Sequence, residues 1–411
     1  MAIVKPFKGL LFNESVGKIE DFVCPPYDIV DDKKYKQLLK KDKNNLIQIE
    51  LPKGKEDRYL NAEQKLNSFI ESGILKFSDT DCFYIYEEKF FYNGEEKTLK
   101  GIVAKVQIEP FEKKIILPHE NTLSAAKEDR FKLMCATKAN ISPIYSLYFD
   151  GGKNTLKTAE KGAKKLYSFK DEDNITHTLY KVAATDNISK DFEHRQLFIA
   201  DGHHRYETAL RYKNDVDAKN GNYIMMFLVP FECDGLVILP THRVLHSMNN
   251  FSGKSVLKYA SKFFDIMGVD TRAQADRLLD ELFKDGEKSF IFYFDKQFYV
   301  FSLKKNIPLS RIIPNTDPSL LELDVTILHR IIFENILHID SKKIQKQKNL
   351  KYYKDETEAL LACDEGANCA FILNPTKTEN LAQVASSGSK MPQKSTYFYP
   401  KPITGLVIHK F

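Results

Sequence analysis

The segment QLFIADGHHRYETAL, residues 196–210, constrains this chain most, because it joins a short apolar run to a helical pattern through a polar turn. Leu197, Phe198, Ile199 and Ala200 have the length and character of a buried strand. Asp201-Gly202 breaks the run, and Arg205 to Tyr212 reads as helix with Tyr206, Ala209 and Leu210 on one face. The turn therefore sets Asp201, His203, His204 and Arg205 where a helix begins, and Gly202 lets the backbone approach a ligand closely. Such a place suits a phosphate, through N–H groups not used by the helix and the positive end of its dipole. An arginine there adds planar, paired donors. Asp201 suits a metal or a hydroxyl, and the two histidines can donate, accept or shuttle protons. Helix capping would explain Asp201 and Gly202. It leaves His203, His204 and Arg205 without a task.

Three further constellations carry the same chemistry. In PHENTLSAAKEDRFKL, residues 118–133, His119 and Glu120 follow an apolar strand and Thr122 lies just beyond them. Lys127, Asp129 and Arg130 gather at the start of the next helix. Glu120 is a candidate base or metal ligand, and Lys127 and Arg130 are candidate phosphate clamps. The plain alternative is a charged loop whose Glu128 and Asp129 satisfy a helix dipole. PTHRVLH, residues 240–246, sets Thr241, His242 and Arg243 at a strand end, as part of an anion pocket or merely as strand-end residues. MPQKSTYFYPK, residues 391–401, holds Lys394, Ser395, Thr396 and Lys401 between prolines, which suits an oxyanion or a solvated loop. His329 and His338 fall on an amphipathic helix and read as packing or surface residues. There is no GxxxxGK[ST], no GxGxxG after a strand and no HExxH, so the nucleotide and zinc-protease fingerprints are missing.

At 411 residues the chain is long for one core, and two or three domains are expected. We expect an N-terminal region over 1–150, a central one over 151–250 and a C-terminal one over 251–411. A net charge of +5, spread along mixed runs, suits a small anionic substrate and does not call for nucleic acid. The six cysteines are scattered without a CxxC pair, so neither a disulfide framework nor a cysteine zinc site is expected. No run of about 18 apolar residues and no leader-like start occurs, so a cytoplasmic, reduced protein without a membrane span is expected. LIQIEL at 46–51 alternates like a strand, and residues 253–284 read as mainly helical. CFYIYEEKF and KTLKGIVAKVQIE form a hairpin through Asn93-Gly94, and KSFIFYFDKQFYVFSL forms another. Mixed sheets with several hairpins favour an α+β fold over a doubly wound parallel sheet.

PPYDIV, LPHENT with KEDRFKL, DGHHRYETAL, ILPTHR and MPQKSTYFYPK occur in this order along nearly the whole chain. With these motifs it resembles a broad family long known only as a conserved domain of unknown function, some of whose members are pyrophosphate-dependent serine kinases. The DGHHR turn also resembles that of archaeal free-serine kinase (SerK) and of the ParB/sulfiredoxin-like superfamily. The resemblance implies a ParB/sulfiredoxin-like core around DGHHR, with additional α/β regions. The sulfiredoxin cysteine is missing from the turn, and no helix-turn-helix follows it; both departures argue against redox repair and DNA partitioning. The implied reaction is phosphoryl transfer from pyrophosphate to free L-serine, with Mg²⁺ bridging phosphate oxygens. Glu120, or else Asp201, would be the base, and Asp201 the magnesium or hydroxyl partner. Gly202, His203, His204 and Arg205 would hold the transferred group, and Lys127, Arg130, His242, Arg243, Lys394, Ser395, Thr396 and Lys401 would bind phosphate. His119, Thr122 and Asp129 would face the amino acid, whose ammonium needs an acid such as Asp28 or Asp129. An ATP- or ADP-dependent serine kinase, a phosphoserine phosphatase and a ParB-like nucleic-acid binder are the alternatives. A monomer or homodimer is expected.

Overall fold

A computed structural model describes residues 1–55, 57–120, 124–340, 344 and 348–411, with the side chains of 124–126 excepted. The fold is α+β, as the alternating hairpins and helices predict. It divides into two compact units, one of Met1–Pro118, Thr122–Val237 and Pro400–Phe411, the other of His119–Asn121 and Ile238–Tyr399. These borders differ from those expected near 150 and 250. The DGHHR and PTHR motifs consequently fall in different units.

The first unit is built on a nine-stranded mixed sheet. Its centre is the long hairpin Cys82–Tyr92 and Glu95–Gln107, joined at Asn93-Gly94 as the sequence predicts. Tyr223–Pro230 runs antiparallel to the second arm of that hairpin and parallel to Ile144–Tyr148. Next comes Leu197–Asp201, antiparallel to Ile144–Tyr148 and parallel to Ile116–Leu117. Ile144–Tyr148, Leu197–Asp201 and Tyr223–Pro230 are buried along nearly their whole length, as strands covered on both faces are. The register of Leu197–Asp201 slips between Ile199 and Asp201. A bulge there re-aims Asp201 just as the strand ends.

The helix His203–Asp215 follows at once and buries Tyr206, Ala209 and Tyr212 in the core. Tyr206 also ties it to the chain just past Glu95–Gln107: its hydroxyl donates to the Glu109 carbonyl (2.7 Å) and accepts from the Glu109 N–H (2.9 Å). Ion pairs Lys127–Glu207 (2.8 Å) and Arg211–Glu128 (2.7 Å) link this helix to Ser124–Thr137.

The second unit holds a six-stranded antiparallel sheet in the order 264–269, 297–303, 289–294, 369–373, 242–245, 350–353. The predicted hairpin of residues 288–303 is present as Ser289–Phe294 and Gln297–Leu303. Two elements correct the sequence reading. Phe264–Val269 is an edge strand inside the stretch read as helical, between helices Gly253–Ala260 and Arg272–Lys284. LIQIEL is no strand: Ile47–Glu50 is a helical turn. The side chain of Asn45 decides this, because its oxygen accepts the Ile47 N–H (2.9 Å) while its amide donates to the Asp21 and Val23 carbonyls. A tertiary clamp of that kind is invisible to periodicity. Among the described residues, no helix is long and apolar enough to cross a membrane.

Candidate functional site

In the first unit the polar turn becomes a compact ionic cluster. Gly202 takes φ +97°, a left-handed conformation that bends the chain from strand to helix. Asp201 accepts from the Arg205 Nη2 (2.9 Å) on one oxygen and from the Lys401 ammonium on the other. Arg205 Nη1 donates to the Pro143 carbonyl (2.5 Å), while its Nε is buried with no hydrogen-bond partner among the described residues. Asp28, on the short helical turn Tyr27–Ile29 after Pro25-Pro26, lies 4.0 Å from the Lys401 ammonium. Burial pushes the Asp201 carboxyl up, but Lys401 and then Arg205 outweigh it and hold the group well below the usual carboxylate range. Asp201 is therefore a poor proton acceptor.

The Tyr27 phenol reports how these groups converge. Burial pushes it up to about 12, Arg205 and Arg130 pull it back, and Asp28 and Asp201 add to the rise. Arg130 stacks over the Tyr27 ring at 4.2 Å. Its Nη1 donates to the Glu50 carbonyl (2.6 Å), and its Nε and Nη2 grip Asp129 (2.9 and 2.5 Å). Asp129 is also held by Arg58 (2.9 Å) and the Tyr59 hydroxyl (2.8 Å). Glu50 is buried and accepts from Ser142 (3.2 Å); burial raises its carboxyl despite Arg130 and Arg205. Glu50, Arg130, Ser142, Arg205 and Thr208 line a cavity of about 40 Å³. His203 is buried at the helix start and His204 is half-buried.

This unit thus holds Lys127, Asp129, Arg130, Asp201, Gly202, His203, His204, Arg205 and Lys401 of the predicted residues. Lys127 is committed to Glu207, and Asp129 to arginines. Sequence reasoning missed Tyr27 and Glu50. Glu50 is the one acid in an apolar stretch, which was a usable signal.

The second unit gathers His119, Glu120, His242, Arg243, Lys394, Ser395 and Thr396. His119 is fully buried; its Nε2 lies 3.0 Å from the Thr396 hydroxyl, and its carbonyl accepts the Met391 N–H (2.7 Å). Glu120 accepts the Lys394 N–H (2.9 Å), with Lys394 at φ +57°. Arg243 is buried, and its terminal nitrogens donate to the carbonyls of Thr241, Lys394 (2.9 Å) and Gln393 (3.4 Å). Burial lowers its guanidinium to about 10. His242 Nδ1 accepts the Leu373 N–H (3.2 Å), and burial, then Arg243, lowers the ring to about 4. Arg243 thus braces the 391–396 loop, with its Nε left buried and without a hydrogen-bond partner among the described residues, while His242 is tied to the strand Cys369–Leu373. Thr122 lies outside the described residues.

Gly202→Ala is expected to destabilise the protein by about 1–2 kcal/mol through the left-handed backbone alone. Its Cβ would also stand 3.0 Å from the Arg205 Nε and Nη2. A chemical denaturation midpoint equal to wild type would contradict this.

A family model described as "Protein of unknown function (DUF1015)" matches residues 4–326. A search of curated proteins finds no match. Among solved structures, one described as free serine kinase in complex with AMP is 13% identical, with a TM-score of 0.38, covering 71% of this chain and 89% of that one. SbnI with C-terminal truncation from Staphylococcus aureus is 10% identical, with a TM-score of 0.38 and coverage of 75% and 87%. A conserved hypothetical protein from Pyrococcus furiosus is 13% identical, with a TM-score of 0.36 and coverage of 69% and 87%.

Proposed function

The chain belongs to the DUF1015 family, and from the chemistry of its polar turn we propose that it is a small-molecule kinase transferring phosphate from pyrophosphate to free L-serine. The observation that carries this reading is the Asp28–Lys401–Asp201–Arg205 array at the start of the helix His203–Asp215. Two linked phosphates need clustered cations and N–H donors, and this array offers both beside two carboxylates. The missing nucleotide fingerprints agree with a donor as small as pyrophosphate.

In this reading the serine hydroxyl oxygen attacks the terminal phosphorus of pyrophosphate. The bond from that phosphorus to the bridging oxygen breaks, and its electron pair leaves with inorganic phosphate. The hydroxyl proton passes to a carboxylate. Asp201 is unsuited to take it, because two cations stabilise its charged form. Asp28 is the other carboxylate of this array and takes the role. Arg205 and Lys401 stabilise charge on the transferred group, with His203 and His204 on the same turn.

Among the described residues, no three His, Cys, Asp or Glu side chains gather to hold a metal. The two carboxylates of the array suit magnesium, which commonly takes one or two carboxylates together with substrate phosphates. Asp201 would hold it, leaving Asp28 to take the proton, and the ion would supply neutralising charge to the phosphate.

Asp28→Asn is expected to lower turnover on the order of 10²-fold, the usual worth of a general base. Glu120→Gln, in the other unit, is the comparison. Near-normal turnover in Glu120→Gln removes Glu120 from the base role, and near-normal turnover in Asp28→Asn removes Asp28. The reaction itself is tested by ³¹P NMR with L-serine, Mg²⁺ and pyrophosphate, ADP or ATP in turn. Phosphoserine from pyrophosphate is the expected product. Phosphoserine from a nucleotide alone reassigns the donor, and none from any donor overturns the reading.

A further inference from the structure

The second unit contains a cavity of about 440 Å³ that the proposed reaction does not use. Thr326, His329 and Gln393 are among its lining residues, and each is more than nine-tenths buried. The Thr326 hydroxyl, the His329 Nε2 and the Gln393 Oε1 have no hydrogen-bond partner among the described residues. A buried polar atom left unpaired costs about 1–3 kcal/mol, so three along one cavity are unusual. His329 belongs to a π-helical stretch, Leu328–Ile336, a rare geometry that concentrates at functional positions. Its ring also packs against Phe333 at 5.0 Å, which fixes its orientation.

The remaining walls define what fits. Leu320 and Pro392 supply apolar surface. Arg330 is paired with Glu334 (2.6 Å), and Asp317 accepts from the Ser319 N–H (2.9 Å) and hydroxyl (2.5 Å). Burial, and then the nearby Arg243, keep the His329 imidazole neutral. Arg330 is matched by Glu334 and Asp317 is held by serine donors, while the three polar atoms left without partners are all neutral, which points to an uncharged ligand. A neutral molecule that carries both hydrogen-bonding groups and apolar surface satisfies the three polar atoms and covers the apolar wall.

We propose that this cavity is a binding site for a neutral heterocycle of nucleobase or nucleoside size. Gln393 is the residue before Lys394, whose N–H is held by Glu120, and the carbonyls of both Gln393 and Lys394 accept from Arg243. Occupancy at Gln393 therefore bears on the position of the 391–396 loop, and the site is suited to an effector. The binding claim is independent of the reaction proposed above.

The test is calorimetric titration of the full chain with adenosine, guanosine, cytidine and uridine. At least one is expected to bind with a Kd below about 1 mM, the affinity of a few well-made polar contacts and a covered apolar face. Thr326→Val keeps the side-chain shape and removes the hydroxyl; His329→Phe and Gln393→Leu remove the other two atoms. Each is expected to weaken binding about tenfold while leaving the unliganded protein as stable as wild type or more so, because an unpaired buried group is lost. Unchanged affinity in Thr326→Val, or no binding of any of the four nucleosides, overturns the proposal and leaves the cavity to water.

Discussion

Asp201→Asn is expected to destabilise the protein by about 3–5 kcal/mol, the usual cost of removing one partner from a buried ionic group. The carboxylate lies between two cations, Lys401 and Arg205, whose side chains are only 9% and 13% exposed. Without it they repel one another, with Asp28 at 4.0 Å from Lys401 as a remaining counter-charge. The effect has a defined pH dependence. The folded carboxyl lies below its unfolded value, so its stabilising contribution is present above the ordinary Asp range and is lost as pH falls through the folded value. Urea unfolding at pH 7 and at pH 3 should therefore show a larger difference between wild type and variant at pH 7. Equal stability of the two proteins at pH 7 would remove Asp201 from the centre of the ionic cluster.

Glu88→Gln should change the pH profile in the opposite sense. Glu88 is fully buried, accepts from the Tyr86 hydroxyl (2.7 Å) and leaves Oε2 without a partner among the described residues. That hydroxyl lies 2.7 Å from His177 Nδ1 and accepts from the Ile403 N–H (3.3 Å), two residues beyond Lys401. Burial pushes the carboxyl up to about 7, against the pull of His177 and the Tyr86 hydrogen bond. Between the unfolded value near 4.5 and the folded value near 7, only the folded state holds the proton, so stability falls as pH rises. The loss is on the order of 3 kcal/mol across that window. Gln mimics the neutral acid and should remove this component, matching wild type near pH 4 and exceeding it above pH 7. Parallel pH profiles for the two proteins would show that Glu88 does not titrate there.

Much of the site's first unit was legible because its signals are local. An apolar run, a Gly at a forced turn and a helical face fixed the strand, the bend and the helix around Asp201. The Asn93-Gly94 hairpin was legible for the same reason. What escaped depends on contacts distant in sequence. Asn45 turns an alternating segment into helix by binding residues 22 and 24 positions away. Lys401 reaches Asp201 across 200 residues, so the motif was visible but its partner was not. The sequence presented Arg243 and His242 as anion binders and could not show that Arg243 also donates to three backbone carbonyls while its Nε has no partner among the described residues. Residue type alone does not distinguish a guanidinium that binds a ligand from one that braces a loop.

The measurement closest to the central claim is calorimetric binding of magnesium pyrophosphate to wild type and to Arg205→Gln. Arg205 stands on the turn beside Asp201 and Lys401, and its buried Nε has no hydrogen-bond partner among the described residues. The wild-type protein should bind, and the variant should bind at least about tenfold more weakly, as expected for the loss of a charge-assisted contact. Equal affinity in the two proteins would mean that the anion, if it binds this chain at all, is held somewhere other than the bend after Ala200.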